Sequence, residues 1–594
     1  MSHRHAPRSI LVSIVVSLLL GSLVVAIPVS ATSPRHPNAP GRYIVVARSH
    51  ADFAAARLAA LHAGATIIDE LPATDTLVVS GSGAAHMALA ADSHVEAVAL
   101  DHLERIVPPE AAGLSRFHAP KGNAGSSEHQ RVKADSAFSL KGLMWSFARI
   151  GAPDAWKSTL GRSSVVVGVA DTGLDFTHPE LASKVVHVED FTVSEDPPLC
   201  TTYFEYSDAD AAADFGGPAT TDWNGHGSWI GGNIAGALDE VGVNGIAPKI
   251  SLVALKIAQW CGYAYDSTIL SAFQYAADNG INIVSISFGG YLDRSDPDQD
   301  TIYNEYVKTV AYARSKGTVI VAAAGNEHVR IGEGGRVLSH GHLWLPGEVP
   351  DPIANPIDFH GLYETPGGIP GVVDVSATNN VVVGESRSCA AGTAGSTTDQ
   401  NATCKPTSDA HDPAGVGRKS QLAYYSNYGP RIDVAAPGGA RKFNLPYWDR
   451  GGTAGWPVTD ADGTIAYEDF SITSDWALQI PCYVNLGPQF YPDACYSIIQ
   501  GTSMATPHAS AVLALIASAH PRLAHNPAAL VWLLKSTANS ISGNATTAIS
   551  ATDTSPGDLS GVACPTGYCH LGGPRISDSD AYGAGLVDAE AGVR

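Results

Sequence analysis

Ser503 lies in Gly501-Thr502-Ser503-Met504-Ala505-Thr506-Pro507-His508, where small residues surround one hydroxyl and an alanine- and leucine-rich run, Ala509 to Ala519, follows with helical periodicity. A serine at a helix N-terminus meets unpaired amides and the positive end of the helix dipole, both of which favour developing negative charge. Nucleophilic chemistry is one reading; an ordinary Ser/Thr helix cap is the other. Asp171 closes the apolar run Val165-Val166-Val167-Gly168-Val169-Ala170, which reads as a buried parallel strand, so its carboxylate sits at a strand's carboxyl end. His226, in Asn224-Gly225-His226-Gly227, opens a helix-like run rich in small residues. Asn326 ends a second apolar strand, Val319-Ile320-Val321-Ala322-Ala323-Ala324-Gly325. Each segment alone reads equally as a turn or cap; an acid, an imidazole, an amide and an alcohol together suit acyl transfer.

The chain order Asp, His, Ser is that of subtilisin, and differs from those of chymotrypsin and the α/β-hydrolases. With Asp171-Thr172-Gly173, Asn224-Gly225-His226-Gly227, Ala323-Ala324-Gly325-Asn326 and Gly501-Thr502-Ser503-Met504-Ala505-Thr506-Pro507-His508, the chain resembles the subtilisin-like serine proteases from about Met144 onward. The resemblance implies an open, mostly parallel α/β sheet flanked by helices. It also implies that Ser503 attacks a peptide carbonyl, that His226 takes and returns its proton, and that Asp171 orients the imidazole and stabilises the imidazolium. The Ser503 N–H and the Asn326 amide would hold the oxyanion.

Substrate contacts follow by the same resemblance. The run Ile283-Val284-Ser285-Ile286-Ser287-Phe288-Gly289-Gly290 is similar to the family's substrate-pairing strand, so Ser285, Ser287, Phe288 and Gly289 are expected to bind an extended peptide, with Ala323, Ala324 and Gly325 lining the opposite wall. Two departures stand out. Ser228-Trp229-Ile230-Gly231 replaces the family's Thr-His-Val-Ala, and Phe288 replaces the usual leucine of its strand, which is expected to reshape a subsite.

These residues need elements to hold them. Strand-like and helix-like runs alternate over residues 41–107, predicting a small α+β domain of ferredoxin-like type; before a subtilisin-like domain it resembles the family's propeptide, an intramolecular inhibitor and folding aid. Residues 108–143 read as a linker containing or adjoining a maturation site, and 144–594 as the catalytic domain. Insertions near 327–371, 386–422 and 439–498 exceed a minimal core, and the first and third are expected to rim the cleft.

Residues 1–31, with His3, Arg4, His5 and Arg8 before the apolar run Ile10 to Ile27 and then Val29-Ser30-Ala31, read as a secretory signal peptide. An uncleaved anchor is the alternative, since a span needs about 20 apolar residues. A secreted chain permits disulfides, and proximity pairs Cys389 with Cys404, Cys482 with Cys495 and Cys564 with Cys569, leaving Cys200 for Cys261. Their spacings match no zinc site. A formal charge of −22 argues against a nucleic-acid partner. The chemistry requires no cofactor; the resemblance allows structural calcium near Ala237 to Pro248, with no ligands assigned. The expectation is a secreted, monomeric serine endopeptidase made as a proenzyme, acting on peptides or proteins, with no membrane partner after signal removal. The alternative is an inactive relative that only binds peptides. An esterase is disfavoured, because Gly501-Thr502-Ser503-Met504-Ala505 lacks the second glycine of the Gly-x-Ser-x-Gly elbow.

Overall fold

The structure is a computed structural model describing residues 41–106, 110–111, 144–339, 359–379, 387–389, 404–406, 420–439, 472–477, 495–541 and 576–594, apart from 196, 239–241 and 424. The signal segment, nearly all of the linker and much of the insertions lie outside the described residues. So do the side chains needed to judge three of the four cysteine pairings. The fourth, Cys200–Cys261, is a disulfide.

Seven strands form the central sheet, in the spatial order Val434–Pro437, Val373–Thr378, Val319–Ala323, Ile283–Ile286, Val166–Asp171, Ser251–Lys256 and Val185–Asp190. Every pair is parallel. Such a sheet must be covered on both faces, which explains its near-continuous apolar strands. Successive side chains alternate between two cores: Val319 and Val321 join the serine-bearing helix Thr502–Ala519, whereas Ile320 and Ala322 join Phe273, Tyr306 and Val310 from the helices Asp266–Asp278 and Pro297–Lys316. Strand order reverses between Val166–Asp171 and Ile283–Ile286. Sites in open α/β sheets form at that reversal, beyond the strands' carboxyl ends.

Residues 41–100 form an antiparallel sheet in the order Thr66–Leu71, Thr76–Gly81, Gly41–Ala47, Val95–Leu100, backed by the helices Phe53–His62 and Gly83–Ala90. This is the ferredoxin-like order. Thr66–Leu71 was not among the expected strands; it is half-exposed at the sheet edge, so its pattern of polar and apolar residues is weak. The small domain's uncovered face packs on the two helices through Ile44, Val46 and Val78, and Thr76 Oγ1 donates to the buried Glu305 at 2.6 Å.

Arg431 supplies a cation in the interior. Its guanidinium donates to the carbonyls of Gly367, Gly368, Ile369 and Val372 at 2.6–3.1 Å and pairs with Asp433 at 2.8 Å, pinning the loop that joins two strands behind the cleft. Burial still holds the nearby Asp374 carboxyl above the usual carboxylate range, against the pull of Arg431. Arg431→Met is expected to destabilise the fold by about 3–5 kcal/mol, because carbonyls and carboxylates lose their shared partner. Arg431→Lys should recover only part of this, since an ammonium cannot span the same fork of acceptors. Denaturant unfolding in a Ser503→Ala background measures both.

Candidate active site

The strand Val166–Asp171 delivers Asp171 to the sheet's carboxyl edge, fully buried. Its Oδ1 accepts from the Thr172 amide at 2.8 Å, and His226 Nδ1 donates to Oδ1 at 2.8 Å with Oδ2 at 3.0 Å. The carboxylate thus holds Nδ1 as the protonated nitrogen. His226 Nε2 is buried and has no hydrogen-bond partner, leaving a lone pair able to take a proton.

His226 begins the helix His226–Ala235, whose entry is built by Asp222. Asp222 Oδ1 accepts from the amides of Asn224 and Gly225, and Oδ2 from the amide and hydroxyl of Ser228, all at 2.8–2.9 Å. Thr172 Oγ1 donates to Asp222 at 2.9 Å and accepts from the Gly227 amide at 3.1 Å, coupling the aspartate's loop to the histidine helix. Gly227 is required: a Cβ there would lie 2.0 Å from the Gly173 carbonyl. Beneath these loops the buried Lys256 donates to the carbonyls of Thr172 and Thr221 and pairs with Asp208 at 2.7 Å. Sequence reasoning assigned no role to Asp222, Thr172 or Lys256. Only Asp222 carried a signal, that of an acid just before a helix.

Ser503 occupies the first turn of Thr502–Ala519. Its helix packs against the histidine helix and five strands of the central sheet. Its Oγ lies 3.5 Å from the Ser287 carbonyl, while Ser287 Oγ donates to the Ser503 carbonyl at 3.0 Å. Oγ is not hydrogen-bonded to His226 Nε2 in this state; catalytic contacts of this kind often close only around substrate. Asn326 Oδ1 accepts from the Thr502 amide at 2.9 Å and hydroxyl at 2.8 Å, which turns Nδ2 toward Gly501. A Cβ on Gly501 would lie 3.4 Å from that Nδ2 and 3.7 Å from the Ser503 amide nitrogen, so glycine keeps the space between the two donors clear. His508, the other imidazole of the motif, is excluded as the base: it is buried, donates through Nδ1 to the Met504 carbonyl at 2.7 Å, and burial pushes its pKa down to about 4.

The expected substrate residues separate into two groups. Phe288 and Gly289 begin the strand Phe288–Leu292, which pairs antiparallel with the chain's own Leu103–Ile106, Phe288 opposite Ile106 and Gly289 opposite Arg105. Leu103–Ile106 pairs on its other side with Tyr263–Tyr265, so it lies as a middle strand between two walls. Ser287 joins this edge to Ser503, as above. Ser285 does not line it: the strand Ile283–Ile286 is paired on both sides inside the central sheet and Ser285 is buried. The apolar run read as one strand is therefore two, bent at Ser287. The Phe288 ring is fully buried in the same apolar cluster as Ile106.

On the other wall Ala323, Ala324 and Gly325 are buried, and Gly325 has φ +95° with the Asn427 amide, the Glu327 carboxylate and the Tyr291 hydroxyl crowding the place of a Cβ. Tyr291 donates to Glu327 at 2.6 Å. This acid behind the glycine was not among the expected site residues. Two described segments within and at the end of the third insertion, Ile472–Trp476 and Cys495–Gln500, form an antiparallel pair against the histidine helix; the Trp476 ring lies over Gly225 and Trp229 Nε1 donates to the Ser497 carbonyl at 3.2 Å. The bulk of Trp229 is thus buried under that pair. Of the stretch Ala237 to Pro248, where structural calcium was allowed, residues 239–241 lie outside the described residues. The one group of three His, Cys, Asp or Glu side chains close enough for a metal among the described residues is elsewhere.

The sequence profile of the Subtilase family matches residues 162–562, over half of the chain. The chain belongs to the subtilase family. This subtilase is 33% identical over 180 residues to thermitase of Thermoactinomyces vulgaris, a stretch covering 30% of the chain and 53% of thermitase. It is 23% identical over 452 residues to subtilisin Savinase of Lederbergia lenta, covering 76% of the chain and 98% of that protein. Among solved structures, the fold is like that of the epidermin leader peptide processing serine protease of Staphylococcus aureus, at TM-score 0.57 and 17% identity over 93% of this chain and 98% of that one. It is also like that of fervidolysin from Fervidobacterium pennivorans, a keratinolytic enzyme, at TM-score 0.52 and 18% identity over 94% and 61%.

Asn326→Ala is expected to lower kcat of this subtilase by roughly 10²–10³, with KM little changed, a magnitude taken over from subtilisin. Steady-state kinetics on a peptide ester and amide check it. A thermal melt alongside separates lost oxyanion binding from the lost Thr502 contacts.

Proposed function

We propose that this subtilase is a secreted serine endopeptidase, made as a proenzyme, that cleaves peptide bonds through an acyl-enzyme. The observation that carries the reading is the buried Asp171–His226 pair, with Nε2 unpartnered, beside a helix whose first turn carries Ser503. His226 accepts the Ser503 hydroxyl proton as Oγ adds to the scissile carbonyl, then delivers it to the departing amine; water repeats the cycle on the ester. Asn326 Nδ2 and the Ser503 amide hold the oxyanion, and Asp171 stabilises the imidazolium without taking the proton. No resident cofactor enters this scheme.

Residues 41–106 are the propeptide in this reading. Support comes from Leu103–Ile106, which adds a strand to the cleft edge as an extended substrate would, and from Glu110–Ala111, which pairs with Ile499–Gln500 just ahead of Ser503. Secretion rests on the N-terminal segment and on the Cys200–Cys261 disulfide. Treatment of the purified enzyme with a fluorophosphonate should place one label per chain on Ser503, with none in His226→Ala. Labelling elsewhere, or equal labelling of the variant, would refute the assignment.

A further inference from the structure

His102, Glu104 and Asp266 bring one imidazole nitrogen and two carboxylate oxygens within 4.8 Å of one another. Two of them belong to the segment that enters the cleft: residues alternate in direction along an extended chain, so His102 and Glu104 face the same way. The third starts the helix Asp266–Asp278 on the opposite wall, and its amide donates to the His102 carbonyl at 3.0 Å.

Each carboxylate is held by a hydroxyl. Tyr306 donates to Asp266 Oδ1 at 2.6 Å, and Thr365 donates to Glu104 Oε1 at 2.7 Å. Asp266 is fully buried, yet its Oδ2 makes no hydrogen bond; the nearest cationic atom is His102 Nδ1 at 3.4 Å, which also makes none. That separation is long for a charge-assisted hydrogen bond, which closes to about 2.7–2.9 Å. It is about the edge of a tetrahedron around a cation with bonds of about 2.1 Å. A buried carboxylate oxygen left without a donor is costly, and a cation between the two atoms removes the cost.

We propose that His102, Glu104 and Asp266 form a divalent transition-metal site of the zinc class that latches the cleft-filling strand to the enzyme wall. An imidazole ligand favours zinc or cobalt over the hard, oxygen-seeking calcium and magnesium. The hydroxyls of Tyr306 and Thr365 orient the ligands as outer-shell partners do. Bound metal ties the cleft-filling strand to one wall of the cleft and slows departure of Leu103–Ile106. That consequence rests on the propeptide reading; the site itself does not.

The full chain carrying Ser503→Ala, which cannot cut itself, is titrated with Co²⁺ and with Zn²⁺ and followed by equilibrium dialysis, visible absorption and thermal melting. Expected are one tightly bound Co²⁺ with the absorption of a low-coordinate site, its displacement by Zn²⁺, and a rise in melting temperature reversed by chelator. His102→Asn and Asp266→Asn should each weaken binding at least tenfold, while His94→Asn, on the exposed face of the small domain, should not. Circular dichroism of each variant establishes that it is folded, and His102→Gln serves if His102→Asn is not. Absence of stoichiometric binding, leaving a bare ion pair, overturns the site, as does binding undiminished in a folded His102 variant. Because the readout is metal binding in an inactive background, these outcomes leave the proteolytic reading untouched.

Discussion

Ser503→Ala is expected to reduce peptide hydrolysis by about 10⁶-fold in kcat, a magnitude taken over from subtilisin, and to stop separation of residues 41–106 from the rest of the chain. The size follows from the proposed role of Ser503 Oγ as the atom that forms the bond to substrate. Each factor of ten corresponds to about 1.36 kcal/mol of barrier, so the loss is about 8 kcal/mol. Alanine keeps the amide at position 503, and Asn326 keeps its hold on Thr502, so the oxyanion donors stay in place. Residual turnover above the uncatalysed rate, roughly 10³-fold, is therefore expected. The measurement is single-turnover hydrolysis of a peptide amide, with processing followed by mass spectrometry. Turnover within tenfold of the unaltered enzyme would mean that another residue is the nucleophile.

Asp171→Asn is the second large effect, about 10⁴-fold in kcat with binding retained, on the scale known for this substitution in serine-protease triads. The geometry gives the reason. The Thr172 amide donates to Oδ1, so the asparagine carbonyl oxygen takes that position and its NH₂ turns to His226. An N–H at the Oδ2 position, 3.0 Å from Nδ1, favours the tautomer in which Nδ1 accepts and Nε2 carries the hydrogen, so the imidazole presents a hydrogen where it needs a lone pair. Fluorophosphonate labelling should fall in parallel with kcat while KM for a peptide substrate stays within a few-fold. A loss below tenfold would show that something other than Asp171 orients the ring.

Asp171, His226, Asn326 and Ser503 stood out as candidates because each is marked locally, by the end of an apolar strand or the start of a small-residue helix. The middle of the parallel sheet was legible for the same reason, since strands covered on both faces, such as Val319–Ala323, are near-continuously apolar, whereas the edge strand Val185–Asp190 is part-exposed and mixed in polarity. What could not be read depends on partners distant in sequence. Asp222 becomes a holding group only when Thr172 and the histidine helix meet it, and Arg431 only when four carbonyls of one loop turn toward it. The apolar run through Ser285 and Phe288 looked like one strand because both halves are buried; their separation into a parallel and an antiparallel pairing is set by Val169 and Val321 on one side of the bend and by Ile106 on the other.

The sequence by itself marked the candidate reactive groups and three of the seven strands of the central sheet, and carried the resemblance to the subtilase family that the family profile then showed. Tertiary structure decided the rest: that Asp171 and His226 share one hydrogen-bonded pair, that Leu103–Ile106 lies between the cleft walls, and that His102 and Glu104 face Asp266. The physical reason is range. Strand and helix periodicity are written in near neighbours, whereas a catalytic pair, a cleft occupant and a ligand cluster exist only when packing brings together residues tens to hundreds of positions apart.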